Sequence, residues 1–262
     1  MPYLRAWELA SAVFFVYVTA VAAFLPRLPP RSRIKALGVS AAGLLVVGLS
    51  AALPASRVLH EWLLPPCLMV LTYWSSGWLF VAAMPRAERA LAAFDRAMGT
   101  RRIAARMPRA VVELLEVSYA GVYPAIPLAL AIYLTFSPSP DVDRFWTVLV
   151  VTDCVCFGLL PWIQTRPPRA LEPDLPWHSR LRRFNERLLG TASIHVNTFP
   201  SGHAAEALAA ALLLLSAPPA AIAWMFLCAA AISAGAVLGR YHYALDAIAG
   251  WIVALAVWGW LG

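Results

Sequence analysis

The sequence predicts an all-α polytopic membrane protein with about eight transmembrane helices, and six at the fewest. Three observations predict it. Hydrophobic residues make up 61% of the 262 and charged residues only 13%, where a soluble domain runs about half apolar and about a quarter charged. The apolar residues fall into runs close to the roughly 20 residues that a bilayer crossing takes. Those runs continue to the last residue, which leaves little room for a separate soluble domain. Residues 1–262 therefore read as one membrane domain. N-terminal helices and a surface segment fill 1–110, and a core over 111–262 carries the polar loops 164–203 and 239–246.

Taken in order, the first run covers about 8–25, too long for a signal-peptide core and without a small-residue cleavage site. Runs at about 36–53 and 62–84 follow. The stretch 85–110 is different: rich in arginine, with Glu88 and Asp95 as its acids and apolar residues at helical spacing. It reads as an amphipathic helix along the membrane surface. Further runs lie at about 111–136 and 145–163. The longest polar connection, 164–200, precedes runs at about 203–217, 219–238 and 243–261. Cys67, Cys154, Cys156 and Cys228 sit inside apolar runs without zinc-ligand spacing and read as small core residues.

The net charge is +7. In a soluble chain that balance would suggest nucleic acid; here the basic residues lie in the gaps between apolar runs and face lipid headgroups instead. With eight crossings, all of the 21 basic residues except Arg5, Arg57 and Arg144 fall on one side. The positive-inside rule makes that side cytoplasmic.

Most polar groups within the runs have an ordinary structural reading. Glu113 and Glu116 open a helix near the interface, where a carboxylate suits the N-terminal dipole. Asp153 lies in mid-run, and an intramembrane acid is a functional candidate by default, with interhelical hydrogen bonding as the structural alternative. The 164–246 region carries more. Pro200-Ser201-Gly202 immediately precedes an apolar helix, leaving free backbone N–H groups beside a hydroxyl, a setting that suits phosphate or a simple helix cap. His195, His203 and His242 all fall near helix ends on the same side. His242 and Asp246 are four apart and share a helical face, so the carboxylate can hold one ring nitrogen and leave the other as nucleophile or base. Arg166, Arg169 and Arg240 supply positive charge nearby.

These residues resemble the type 2 phosphatidic acid phosphatase superfamily of lipid phosphate phosphatases, whose signatures are K-x6-R-P, P-S-G-H and S-R-x5-H-x3-D. Pro200-Ser201-Gly202-His203 matches the second in full, and His242 with Asp246 matches the chemical half of the third. The wording from Arg240 to Trp251 is also similar to the inositol phosphorylceramide synthase-like branch. The resemblance covers about 155–262. It departs where the first signature's lysine falls on Leu159 and the third's Ser-Arg falls on Gly235-Ala236. Arg169 can replace the lysine charge, with Arg180, Arg182 or Arg183 as further candidates, and Arg240 the missing guanidinium.

The resemblance implies a histidine-phosphatase-like helical core in the C-terminal half and a two-step transfer. His242 attacks phosphorus, Asp246 orients it, and His203 protonates the leaving alcohol and then activates water. Arg166, Arg169, Arg240, Ser201 and Gly202 bind the phosphoryl oxygens. No metal or cofactor is expected. The expected partners are a lipid phosphate substrate and membrane lipids, with no nucleic acid, and the oligomeric state is open. The expected location is a bacterial inner membrane, with the site cytoplasmic by charge but on the outer face by the family's habit. Two alternatives stay open: a lipid phosphotransferase, and a non-catalytic lipid-binding or transport protein.

Overall fold

The computed structural model describes residues 4–53, 56–172, 179–194 and 196–261. Among these the architecture is all-helical, apart from an isolated antiparallel bridge between Thr165 and Asn197. His195, one of the three histidines named above, lies outside the described residues.

The first two helices, α1 (Ala6–Phe24) and α2 (Pro30–Ala52), form an antiparallel hairpin. Proline opens α2, where its missing N–H costs nothing. The Arg33 guanidinium donates back to the carbonyls of Ala22 and Leu25, satisfying the C-terminal end of α1. At the other end of this hairpin Glu8 is fully buried and accepts from the Ser50 hydroxyl and the Arg5 backbone. A π-helical turn, Val58–Leu63, runs directly into α3 (Leu64–Gly77).

The arginine-rich stretch forms two helices, α4 (Pro85–Met98) and α5 (Thr100–Arg106), separated at Gly99. Arg86, Arg89 and Arg96 face outward while Glu88, Leu91 and Asp95 face inward. The run expected at 111–136 is broken. It forms α6 (Arg109–Ala120) and α7 (Val122–Phe136), which meet at Gly121 with a 63° bend.

After α8 (Val142–Gly158) come the short α9 (Pro168–Leu171) and the polar α10 (Arg180–Ala192). The last three helices are α11 (Gly202–Leu213), α12 (Pro219–Leu238) and α13 (Ala244–Leu261). The alanine-rich α11 is the central post: it packs against α7, α8, α12 and α13, and small side chains let those neighbours approach closely. Gly250 on α13 shows how closely, since a Cβ there would fall 2.5 Å from the Ser201 carbonyl oxygen.

The membrane character holds, but the helix count by length is lower than expected. Among the described residues, four helices, α1, α2, α12 and α13, are long and apolar enough to cross by themselves, and the bent α6–α7 pair makes a fifth if it is one span. The apolar runs behind α3, α8 and α11 are helical too, but at 14, 17 and 12 residues they are shorter than a full crossing.

Candidate active site

The described parts of the polar segments 85–110, 164–172, 196–200 and 239–243 converge at one end of the bundle. The Met84 N–H donates to the Gln164 carbonyl at 2.7 Å, and Thr165 bridges Asn197 through the backbone at 2.9 Å. The Ser201 N–H donates to the Asp246 carbonyl at 2.9 Å, which locks the turn before α11 onto the start of α13. At the end of α12, the N–H groups of Tyr241 and His242 both donate to the Ala236 carbonyl at 2.9 Å. This reversal brings His242 back over the bundle.

A narrow chamber lies inside this end, walled by Tyr73, Tyr119, Arg169, His203, Tyr241 and His242. The two imidazoles face each other with ring centroids 6.2 Å apart. His242 Nδ1 sits 3.5 Å from Asp246 Oδ2, an ion-pair contact rather than an aligned hydrogen bond, as catalytic contacts in ligand-free sites often are. Asp246 is itself held in place, because its Oδ2 accepts from the Tyr243 N–H at 2.8 Å. His203 is held by aromatic rings: Tyr119 stacks on it at 5.3 Å, and Tyr123 meets it edge-on at 5.9 Å.

Tyr241 stacks flat on Tyr119 with centroids 4.0 Å apart. The guanidinium carbons of Arg169 and Arg182 lie 5.1 and 5.0 Å from its ring centre, within cation–π range. The Tyr241 hydroxyl donates to Glu116 at 2.6 Å, and burial pushes its pKa well above the ordinary tyrosine value. Glu116 also accepts from Arg182 at 3.0 Å and from the Asn185 side-chain amide at 2.7 Å. These buried contacts tie α6, α10 and the 239–241 turn together behind the chamber.

The eight residues expected to form the site divide into three groups. His203, His242 and Arg169 line the chamber, and Asp246 stands behind His242. Ser201 and Gly202 build the turn that aims His203. The Ser201 hydroxyl accepts from the Ala204 N–H at 3.4 Å as a helix cap, and a Cβ at Gly202 would fall 2.6 Å from the Phe157 ring.

Arg166 and Arg240 do not line the chamber. Arg166 donates to both carboxylate oxygens of Glu88, each at 2.9 Å. Arg240 is buried, donating to Asp95 at 2.6 Å, to Glu172 at 2.7 and 3.0 Å, and to Thr100 at 3.0 Å. Both guanidiniums are matched by carboxylates and clamp the loops together rather than facing the chamber. The pairing also holds the Glu88 pKa below the ordinary carboxylate value, chiefly through the Arg166 side-chain hydrogen bonds. Of the candidates for the missing lysine, Arg169 occupies the chamber wall and Arg182 serves the Glu116 network.

Sequence reasoning missed the tyrosine walls. Tyr73 and Tyr119 belong to helices remote in sequence, and no local pattern marks them. Glu206, which lines an adjoining cavity with His203, was also missed, although an acid within the apolar run after His203 was a readable signal. Among the described residues, no group of three or more His, Cys, Asp or Glu is placed to hold a metal ion.

The profile of the PAP2 superfamily matches residues 82–260, well over half of the chain. The chain belongs to the PAP2 superfamily. Its members are generally phosphatases, and this one is an integral membrane protein. The matched region begins just before α4 and contains every wall of the PAP2 chamber except Tyr73 on α3. No curated protein and no solved structure matches the chain.

Proposed function

We propose that this PAP2 protein is a metal-independent lipid phosphatase working through a phosphohistidine. The observation that carries the reading is the pair of imidazoles 6.2 Å apart across a chamber with Arg169 on its wall, one of them backed by Asp246. Phosphoryl transfer needs in-line positioning and charge stabilisation more than elaborate covalent machinery. With Asp246 beside Nδ1, His242 presents Nε2 as the nucleophile. That nitrogen forms a bond to phosphorus as the ester P–O bond breaks, and His203 gives its proton to the departing alkoxide. Water then attacks the phosphohistidine, His203 takes its proton back, and inorganic phosphate leaves with His242 restored. Arg169 balances the phosphoryl charge throughout.

A lipid substrate is supported by a second cavity, of about 310 Å³, that shares His203 and Tyr73 with the chamber. Its lining is largely apolar, and Trp62, Val70 and Tyr123 in that lining are 38%, 44% and 53% exposed. An apolar tail can enter from the side while its phosphate occupies the chamber. Purified full-length protein in detergent is expected to release phosphate from lipid phosphates, and His242→Ala should reduce this at least about 10³-fold. Turnover unchanged by that substitution would sink the proposal.

A further inference from the structure

The lateral cavity contains a feature that the phosphatase reading does not use. Asp153 on α8 and Glu206 on α11 both line it as neighbours. Among the described residues, no lysine or arginine lines the cavity. Two neighbouring carboxyls in largely apolar surroundings disfavour a double negative charge. A purely structural clamp between two helices would satisfy its own polar atoms. This one does not: Asp153 is 1% exposed, and its Oδ1 has no hydrogen-bond partner. The His203 Nε2, on the same cavity wall, lacks one as well.

The register on α11 defines what could satisfy these atoms. Glu206 follows His203 by three residues, so it lies on the same face about 4.5 Å further along the helix axis. If His203 serves the ester oxygen, the carboxyl pair sits where the next few atoms of the alcohol would run. We propose that Asp153 and Glu206 form a recognition site for a hydrogen-bond donor, a hydroxyl or an ammonium, carried by the lipid alcohol two or three carbons from its ester oxygen. The placement of the ester rests on the phosphatase reading; the donor site itself is a property of the cavity. It gives the protein a means of choosing among lipid phosphates, because a plain alkyl chain leaves the buried Asp153 oxygen unsatisfied while a hydroxy- or amino-bearing one does not.

Equilibrium binding of unphosphorylated ligands tests this without requiring catalysis. Three lipids of equal chain length are offered to the purified full chain in detergent: a 2-amino alcohol, a 1,2-diol and a plain primary alcohol. The wild type is expected to bind at least one donor-bearing lipid about tenfold more tightly than the plain alcohol. The tighter of the two identifies the preferred group. Asp153→Asn and Glu206→Gln should each shrink that preference to about twofold or less, with melting curves to show that the variants fold. Equal affinities for all three lipids in the wild type would overturn the proposal without recourse to variants, as would a preference that survives in both folded variants. A preserved preference in a protein that releases no phosphate would overturn the phosphatase reading and leave the donor site standing.

Discussion

At the residue scale, the arginines divide by what faces them. Arg169 lies on the chamber wall and stacks toward Tyr241. Arg240, with a side chain only 2% exposed, is consumed by Asp95 and Glu172. Substituting each therefore has a different signature. Arg169→Ala should lower kcat/KM by about 10²-fold, as removal of one charge-stabilising donor does, with little change in melting temperature. Arg240→Ala should instead destabilise the fold by about 3–5 kcal/mol, because it leaves Asp95 buried without its counter-charge. Parallel phosphate-release assays and thermal melts distinguish the two, and a fold unaffected by Arg240→Ala would show that the clamp carries no weight. Closeness to His242 along the chain made Arg240 the candidate for the missing guanidinium, because sequence records which charges are near one another along the chain. It does not record that Asp95, 145 positions away, arrives first.

At the element scale, the site depends on helices that meet backbone to backbone. The Ser201 turn and the first turn of α13 are joined by the Ser201-to-Asp246 hydrogen bond, and Gly250 keeps the two helices at that separation. Gly250→Val should force α13 outward, costing about 1–3 kcal/mol as overpacking does, and should also lower activity by moving Asp246 and His242 relative to His203. A variant that melts early but keeps wild-type kcat would show that the α11–α13 contact serves stability alone. The helices themselves were legible: apolar runs of the right length, proline at the start of α2, α4 and α12, and the serine cap of α11 all mark them in the sequence. The break at Gly121 was not, since the run 111–136 is apolar on both sides of it and hydropathy carries no information about direction.

On the scale of the whole molecule, the basic loops become a single assembly. Glu88 and Asp95, the acids of the 85–110 stretch, reach out from α4 and capture Arg166 and Arg240 from the two loops that carry the histidines. Acid should release the first of these clamps. The Glu88 pKa is lowered from the ordinary 4.5 by its pairing with Arg166, so its contribution to stability is complete above the unfolded value and is lost as pH falls through the lower folded one. Melting temperatures measured from pH 7 to pH 3 are expected to fall more steeply for the wild type than for Glu88→Gln; identical slopes would show that this pair is not linked to folding.

Composition and run lengths by themselves determined that this chain lives in a membrane and is built of helices, because those follow from local hydropathy and periodicity. The P-S-G-H and H-x3-D spacings likewise singled out both histidines and their aspartate, since those residues lie close together along the chain, although His242 stands two residues before α13 rather than on it. Only the tertiary structure decided which arginine lines the chamber, that tyrosines from α3 and α6 wall it, and that Asp153 finds Glu206 across a helix interface. Those choices depend on long-range packing, where a buried charge goes to whatever counter-charge the fold delivers to it.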